Sequence, residues 1–294
     1  MAWLVLLATL LLWSGNWIVA RAVRDEIAPG IATAGRLLIV LLILVPFCFH
    51  SLKKQLFALQ KQHWKILATL GFFGGGLHLA LQWLGLHYTT ATSATLYLST
   101  APIFILLLAR PLLGEAIGVR QWLGVAVSFS GVILIGSHGN PEKFTFNPGD
   151  ALALVSMLMW GAYTVFLRLR RDTLETPEFL VVICACGLIF MVPWVAFEVL
   201  SGARTELSTI GALAVLYSAL GSLLLAYAGW SYVVKRLGAA RAGATMHLMP
   251  GMAVLLSIAF LDEYPRWFHG AGIALILAGV GLSSAKTSSA ASIP

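Results

Sequence analysis

Aromatic and neutral polar side chains occur inside the long apolar stretches of this chain. Rings can enclose an apolar group, and amide, hydroxyl and imidazole groups can exchange hydrogen bonds with a polar one. Together they suit a small molecule that has both kinds of surface, such as a zwitterion with an apolar side chain. The candidate binding residues are Trp13, Asn16, His78, Gln82, Tyr97, Ser99, Trp160, Tyr163 and His247.

A structural explanation competes with ligand binding at these positions. Glycine-rich faces such as the one from Gly71 to Gly75 favour close packing of helices. Polar side chains are costly in lipid, so under either explanation these faces turn toward neighbouring helices or a cavity. The sequence leaves cavity lining and helix packing both open.

The positions of the ionisable residues argue against several functions. All twelve Asp and Glu residues lie in loops or at the ends of apolar stretches, whereas a proton-coupled exporter of cationic drugs usually carries a carboxylate near the membrane midplane. An intramembrane enzyme is disfavoured because the seven histidines are scattered and no Gly-x-Ser-x-Gly sequence occurs. The three cysteines lie in apolar stretches, where buried thiols are expected and a metal site is not. We also expect no cofactor.

The composition predicts that the lipid bilayer surrounds the elements holding these residues. The chain has 294 residues, of which 59% are hydrophobic and 11% charged, and its mean hydropathy is +0.89. A soluble protein of this size could not bury so much apolar surface. The net charge of +7 comes from short basic runs between apolar stretches, which indicates membrane orientation and not nucleic-acid binding.

Ten apolar stretches are long enough to cross the membrane as helices. Thirteen Lys and Arg residues lie on the side that holds the N-terminus and five on the other, so both termini are predicted to be cytoplasmic. The first stretch lacks a basic start and a cleavage site, so we interpret it as a retained span. The predicted spans are 2–22, 28–50, 65–86, 90–110, 118–137, 149–168, 177–199, 207–233, 239–261 and 266–285.

The second half of the chain repeats the first at a spacing of 148 residues. Pro102 and Glu115 recur as Pro250 and Glu263, and several glycines recur with them. Five spans in each copy would place the second copy in the membrane upside down, which is typical of inverted-repeat transporters. We therefore predict a first repeat over 1–140, a second over 141–285 and a disordered tail over 286–294.

Five further residues are interpreted mainly as hinge or scaffold elements. Pro102 and Pro250 would free a backbone carbonyl four residues earlier, which permits a hinge or a static kink. Glu115 and Glu263 precede the fifth and tenth spans, where a carboxylate favours the positive end of a helix. Arg36 lies about seven residues inside the second span, so it could reach the outer surface as a structural residue or bind a substrate carboxylate.

With these motifs, the sequence resembles the drug/metabolite transporter superfamily, and within it the ten-helix EamA type. The resemblance covers nearly the whole chain. It includes Leu12-Trp13-Ser14-Gly15-Asn16 and Arg36-Leu37-Leu38. It also includes Leu113-Gly114-Glu115, with Pro102, and Leu237-Gly238-Ala239-Ala240-Arg241-Ala242, with Pro250 and Glu263. The chain is most similar to the YddG-like exporters of aromatic and other amino acids.

The resemblance implies an all-α integral membrane protein. Spans one to four and six to nine would form a basket around a central site, and spans five and ten would stand at its periphery. We expect a monomeric multi-pass exporter in the cell inner membrane that moves small zwitterionic metabolites, such as aromatic or other hydrophobic amino acids, by alternating access. An exporter of drugs or nucleotide-derived metabolites is the main alternative, and a non-transporting sensor or scaffold is a further one.

Overall fold

The computed structural model describes residues 1–114, 118–140, 147–170, 174–203, 205–206, 208–237 and 248–284. Within these ranges the chain forms ten helical segments. They are α1 (Ala2–Ala22), α2 (Pro29–Phe57), α3 (Lys61–Tyr88), α4 (Ala91–Leu113), α5 (Val119–Gly136), α6 (Pro148–Arg168), α7 (Thr176–Leu200), α8 (209–237), α9 (Leu248–Leu261) and α10 (Trp267–Ser284).

Seven of these segments, α1 to α4 and α6 to α8, are long and apolar enough to cross a membrane. The apolar parts of α5, α9 and α10 are shorter and cover Val119–Ile135, Gly251–Leu261 and Trp267–Leu282. The prediction of an all-α integral membrane protein is confirmed. The count of ten spans stays a prediction, since the residues preceding α9 lie outside the described ranges.

Several helices begin at residues that suit a helix N-terminus. Pro29, Pro148 and Pro177 occupy the first helical turn of α2, α6 and α7, where the missing N–H of proline costs nothing. The side chains of Asn147 and Ser208 accept hydrogen bonds from backbone N–H groups at the starts of α6 and α8. Such caps satisfy donors that have no partner within the helix.

The sequence repeat reappears in the positions of the helices. The starts of α3 and α5, Lys61 and Val119, recur after 148 residues as the starts of α8 and α10, Thr209 and Trp267. Both α3 and α8 contain a π-helical segment, Gly71–Leu77 and Ser218–Leu225 respectively. The predicted boundary at 140/141 and the inverted orientation stay predictions, and the predicted tail 286–294 lies outside the described residues.

The packing of the helices follows the same repeat. α1 packs against α8 and α9, and the corresponding helix α6 packs against α3 and α4. α2 and α7 pack against each other. α5 and α10 also pack mainly against each other, at a close approach where a Cβ on Gly131 would lie 2.5 Å from the Gly272 carbonyl oxygen. This arrangement agrees with a basket of eight helices and two peripheral ones.

Candidate functional site

A cavity of about 160 Å³ lies among seven of the helices and is walled by both halves of the chain. α1 to α4 contribute from the first half, and α6, α8 and α9 contribute from the second. None of the described lining residues belongs to α5 or α10. The walls consist of Trp13, Asn16, Trp17, Arg36, His78, Leu79, Gln82, Leu98, Ser99, Ala101, Ile105, Met157, Trp160, Ser222, Leu223, Tyr227 and Met249.

Most of the binding residues predicted from the sequence come together in these walls. Six of the nine line the cavity, although they belong to four different helices. They are Trp13, Asn16, His78, Gln82, Ser99 and Trp160. Their role in binding a substrate stays a prediction, but the structure places them where one ligand could contact them all.

The other three predicted residues do not add to the described walls. Tyr97 is fully buried in the hydrophobic core between helices. Tyr163 packs behind the wall, with its ring 5.2 Å from that of Trp160 and in close contact with Gly74. Gly74 belongs to the π-helical segment of α3, so this tyrosine supports the wall where that helix departs from regular geometry. His247 lies outside the described residues.

Arg36 is the charged residue of the cavity wall, and its predicted reach to the outer surface is wrong. It is 1% exposed, because it lies on the buried face of α2 together with Thr33, Leu37 and Val40. That face packs against α3, α7 and α8, so neighbouring helices surround the side chain and it does not extend to the outer surface. Its guanidinium carbon lies 5.5 Å from the centre of the Trp83 ring.

The Arg36 guanidinium lacks a counter-ion within the described part of the chain. Its Nε and Nη2 atoms are buried and make no hydrogen bond there, and no Asp or Glu occurs among the described lining residues. A buried charge without a partner is strongly unfavourable. An anionic group that entered the cavity would meet this charge without competition from an acidic side chain of the described walls.

A polar network joins three helices at the cavity wall. Ser218 Oγ donates to Asn16 Oδ1 at 2.7 Å, and Asn16 Nδ2 is 3.4 Å from Gln82 Oε1, which accepts its hydrogen bond. The Trp13 indole donates to the backbone oxygen of Ser222 at 3.0 Å. Ser218 and Ser222 both belong to the π-helical segment of α8, so the altered helix geometry takes part in fixing the α1 side chains.

Aromatic rings form two further parts of the wall. The Trp13 ring lies 5.4 Å from Trp230 and 5.9 Å from Tyr227. On the α6 side, the Trp160 ring lies 5.2 Å from the His78 ring. Trp13 and Trp160 are separated by 147 residues, so the repeat supplies one indole from each half. Such rings favour an apolar or aromatic group between them.

His78 is held by two atoms of Ser156 in α6. Its Nδ1 lies 2.9 Å from the Ser156 backbone oxygen and 2.9 Å from Ser156 Oγ. The same hydroxyl donates to the backbone oxygen of His78 at 3.0 Å. These contacts fix the imidazole plane at the junction of α3 and α6.

The predicted hinge and scaffold residues have mixed outcomes. A 3₁₀ turn, Tyr97–Thr100, precedes Pro102, and the Leu98 carbonyl accepts a hydrogen bond from Ala101 N. The expectation that proline leaves this carbonyl free is therefore wrong, because the tighter turn supplies another donor. Pro250 lies in the first turn of α9, and its role as a hinge stays a prediction. Glu115 lies outside the described residues.

Glu263 stabilises a helix start, but not that of the helix that follows it. Its Oε2 accepts a hydrogen bond from the backbone N–H of Thr92 at 3.0 Å, at the start of α4. Its Oε1 lies 3.4 Å from Arg21 Nε at the end of α1. The expected capping of α10 is wrong, because the carboxylate instead joins α1 and α4 to the loop between α9 and α10.

The lining residues that the candidate set omits are mostly apolar. Leu79, Ile105 and Met157 resemble the many other apolar residues of the spans, so no sequence signal marks them. Trp17 and Tyr227 carry a signal, since each lies on the same helical face as another aromatic residue, Trp13 and Trp230 respectively. The Ser222 contribution depends on a backbone oxygen, which side-chain patterns cannot reveal.

Comparison with known proteins identifies the family of the chain. The model of the EamA-like transporter family matches residues 1–137 and again 147–285. An uncharacterized transporter of Archaeoglobus fulgidus is 31% identical over an alignment that covers 96% of this chain and 97% of the relative. A probable terminal-alkyne amino-acid exporter of Streptantibioticus cattleyicolor is 30% identical over 76% of this chain and 73% of that protein.

A solved crystal structure shares the fold. It superposes with a TM-score of 0.59 at 20% sequence identity, covering 96% of both chains. An uncharacterized transporter of Bacillus subtilis, YetK, is 26% identical over 97% of this chain and 87% of its own length. With a family match to each half and a full-length relative, the chain belongs to the EamA-like transporter family.

Proposed function

We propose that this membrane transporter exports small zwitterionic metabolites, foremost aromatic or other hydrophobic amino acids, across the inner membrane by alternating access. The observation that carries the proposal is the unpartnered Arg36 guanidinium in the cavity wall. Guanidinium and carboxylate groups match in charge and in hydrogen-bonding geometry, and the interaction between them is strongest where water is excluded. Arg36 thus binds the substrate carboxylate.

The remaining walls fit an apolar side chain. Trp13, Trp17, Trp160 and Tyr227 line the cavity together with several aliphatic residues. The relative from Streptantibioticus cattleyicolor, named as a probable amino-acid exporter, supports the same substrate class. The bias of basic residues toward the N-terminal side supports cytoplasmic termini.

The size of the cavity favours amino acids over the alternative substrates. Sites for drug-sized ligands have volumes of roughly 300–1,000 Å³, whereas this cavity measures about 160 Å³. A nucleotide-derived metabolite or a bulky drug would require substantial widening of the bundle. The phosphate of a nucleotide-derived metabolite would also suit Arg36, so the transport measurements must include a nucleotide.

The proposal is tested by reconstituting the purified protein in liposomes and following a panel of labelled amino acids, nucleosides, nucleotides and dyes. We expect flux of phenylalanine or a similar hydrophobic amino acid. Arg36→Gln should lower this flux by about 10- to 100-fold, because a hydrogen bond to a charged group contributes about 1.5–3 kcal/mol. Arg36→Lys should retain part of the flux, since it keeps the charge.

Arg24→Gln provides the matched control. Arg24 lies outside the cavity and pairs with the exposed Asp25, so the same loss of charge there should leave the flux within about twofold of the wild type. Flux of nucleosides or dyes without amino acids would contradict the proposed substrate class. Unchanged amino-acid flux in Arg36→Gln would contradict the assignment of the carboxylate site.

A further inference from the structure

We propose that Ser156 holds His78 in the tautomer that carries its proton on Nδ1, so that Nε2 accepts a hydrogen bond from the substrate ammonium group. This inference rests on the proposed function and deepens it. The substrate ammonium group is thereby assigned to His78 Nε2, as the substrate carboxylate is assigned to Arg36. Ser156 becomes a positioning residue that acts on substrate selection through His78.

The hydrogen bonds around Ser156 determine the tautomer. The backbone oxygen of Ser156 can only accept, and it lies 2.9 Å from His78 Nδ1. The Ser156 hydroxyl donates its single proton to the backbone oxygen of His78 at 3.0 Å, so at 2.9 Å from Nδ1 its oxygen also accepts. Both contacts therefore require a proton on Nδ1.

The other ring nitrogen remains available to a ligand. His78 lines the cavity, and its Nε2 makes no hydrogen bond with the described residues. In a neutral imidazole with a proton on Nδ1, Nε2 is an acceptor. An acceptor cannot bind a carboxylate, but it can bind an ammonium N–H.

The charges around the cavity favour the neutral ring. The Arg36 guanidinium lines the same space, and no Asp or Glu lies among the described lining residues to offset a second positive charge. Coulomb repulsion between two cations is large where water is excluded. The wall thus presents one fixed cation for a carboxylate and one neutral acceptor for an ammonium group, and this combination suits a zwitterion.

This arrangement predicts selection against carboxylates that lack an amine. When such a molecule occupies the cavity, Nε2 loses access to water and gains no partner. We therefore expect L-phenylalanine to bind at least about tenfold more tightly than 3-phenylpropanoate. The two ligands share the ring and the carboxylate, so the ratio of their dissociation constants isolates the amine contact.

The test is calorimetric titration of the purified transporter in detergent with both ligands. His78→Phe keeps an aromatic ring without the acceptor, and we expect it to reduce the preference for L-phenylalanine at least fivefold. His78→Gln can place an amide oxygen near the former Nε2 and should restore part of the preference. Ser156→Ala should lower the preference by about threefold, and Ser156→Thr, which keeps the hydroxyl, should preserve it.

A spectroscopic measurement separates positioning from folding. The ¹⁵N shifts of the His78 imidazole, assigned by comparison with His78→Gln, should show a neutral ring protonated at Nδ1, and Ser156→Ala should introduce the other tautomer. A ring protonated at Nε2 would overturn the inference even if phenylalanine is transported. Equal preference in the wild type and His78→Phe would do the same. If the wild type binds neither ligand, the proposed function itself fails, and the inference fails with it.

Discussion

The two halves of the transporter share a scaffold and differ in the chemistry that they present to the cavity. α3 and α8 each contain a π-helical segment, Gly71–Leu77 and Ser218–Leu225. Trp13 of α1 and Trp160 of α6 both line the cavity. What the repeat preserves is therefore the helix geometry and the aromatic walls.

The polar positions of the cavity are not preserved between the halves. At the spacing of 148 residues, Arg36 corresponds to Cys184 and His78 corresponds to Ala226. The charged side chain of Arg36 and the imidazole of His78 thus both come from the first half of the chain. A symmetric scaffold can support alternating exposure of a site, whereas an asymmetric lining can bind a substrate whose two ends differ.

Replacing Arg36 with the residue of the other half should have the largest effect. Arg36→Cys makes position 36 match Cys184 and removes the only positive charge among the described lining residues. We expect phenylalanine flux into liposomes to fall by about 10- to 100-fold, because the carboxylate loses its charge-assisted hydrogen bonds.

Cys184→Ala is the matched change in the second half. Cys184 is buried but does not belong to the described cavity walls, so we expect flux within about twofold of the wild type. A large loss in Cys184→Ala together with a small one in Arg36→Cys would reverse the proposed division of roles between the halves.

The contact between α3 and α7 also differs from the corresponding contact in the repeat, which is the one between α8 and α2. α3 approaches α7 through Gly75 and Gly187, where a Cβ on Gly75 would lie 2.6 Å from the Ile183 carbonyl oxygen. The corresponding residues at the α2–α8 contact are the larger Leu223 and Ile39. The backbones of α3 and α7 can therefore approach each other closely, whereas larger side chains lie between α2 and α8.

Adding a methyl group at this close contact should destabilise the protein. Gly75→Ala forces α3 and α7 apart, because the atom it meets belongs to the backbone and cannot rotate away. We expect a loss of about 1–3 kcal/mol in stability, measured as a lower Tm in detergent. Gly270→Ala, with no atom within 4 Å of the added methyl group, should leave stability unchanged or raise it by up to about 1 kcal/mol, because alanine favours a helix more than glycine does. Equal Tm values for the two variants would show that α3 and α7 are not closely packed.

The sequence was sufficient to predict the helices but not the depth of each residue in the bundle. Apolar length, flanking prolines and the repeat located α2 and α7 to within a few residues at their starts. The sequence left two roles open for Arg36, reach to the outer surface and binding of a substrate carboxylate, because distance from the helix start does not reveal which helices surround a side chain. Its true environment depends on α3, α7 and α8 packing around it, which one sequence cannot specify.

Helix periodicity also fails where the helix itself is irregular. A π-helical turn shifts the following residues around the axis, so a face counted at 3.6 residues per turn no longer applies beyond it. This affects Ser222, which lies within the segment Ser218–Leu225. The regular α1 shows the contrast, since Trp13 and Asn16, which share one helical face, both line the cavity.

The smallest effect is expected at the ion pair that joins the two halves. Glu263→Gln removes the charge that faces Arg21 but keeps an oxygen to accept the hydrogen bond from Thr92 N. Both side chains are partly exposed and the pair is 3.4 Å apart, so we expect a loss of about 1 kcal/mol or less. Glu263→Ala also leaves the start of α4 without its acceptor and should lower the Tm further.

The repeat extends this prediction to the other end of the bundle. Glu263 corresponds to Glu115 at a spacing of 148 residues, and Arg21 corresponds to Arg168 at 147. If both halves use the same connection, Glu115→Gln should lower the Tm by a similar small amount, measured under identical detergent conditions. A much larger effect at Glu115 would show that the two ends are stabilised differently, as expected of a transporter that holds one end more firmly closed than the other.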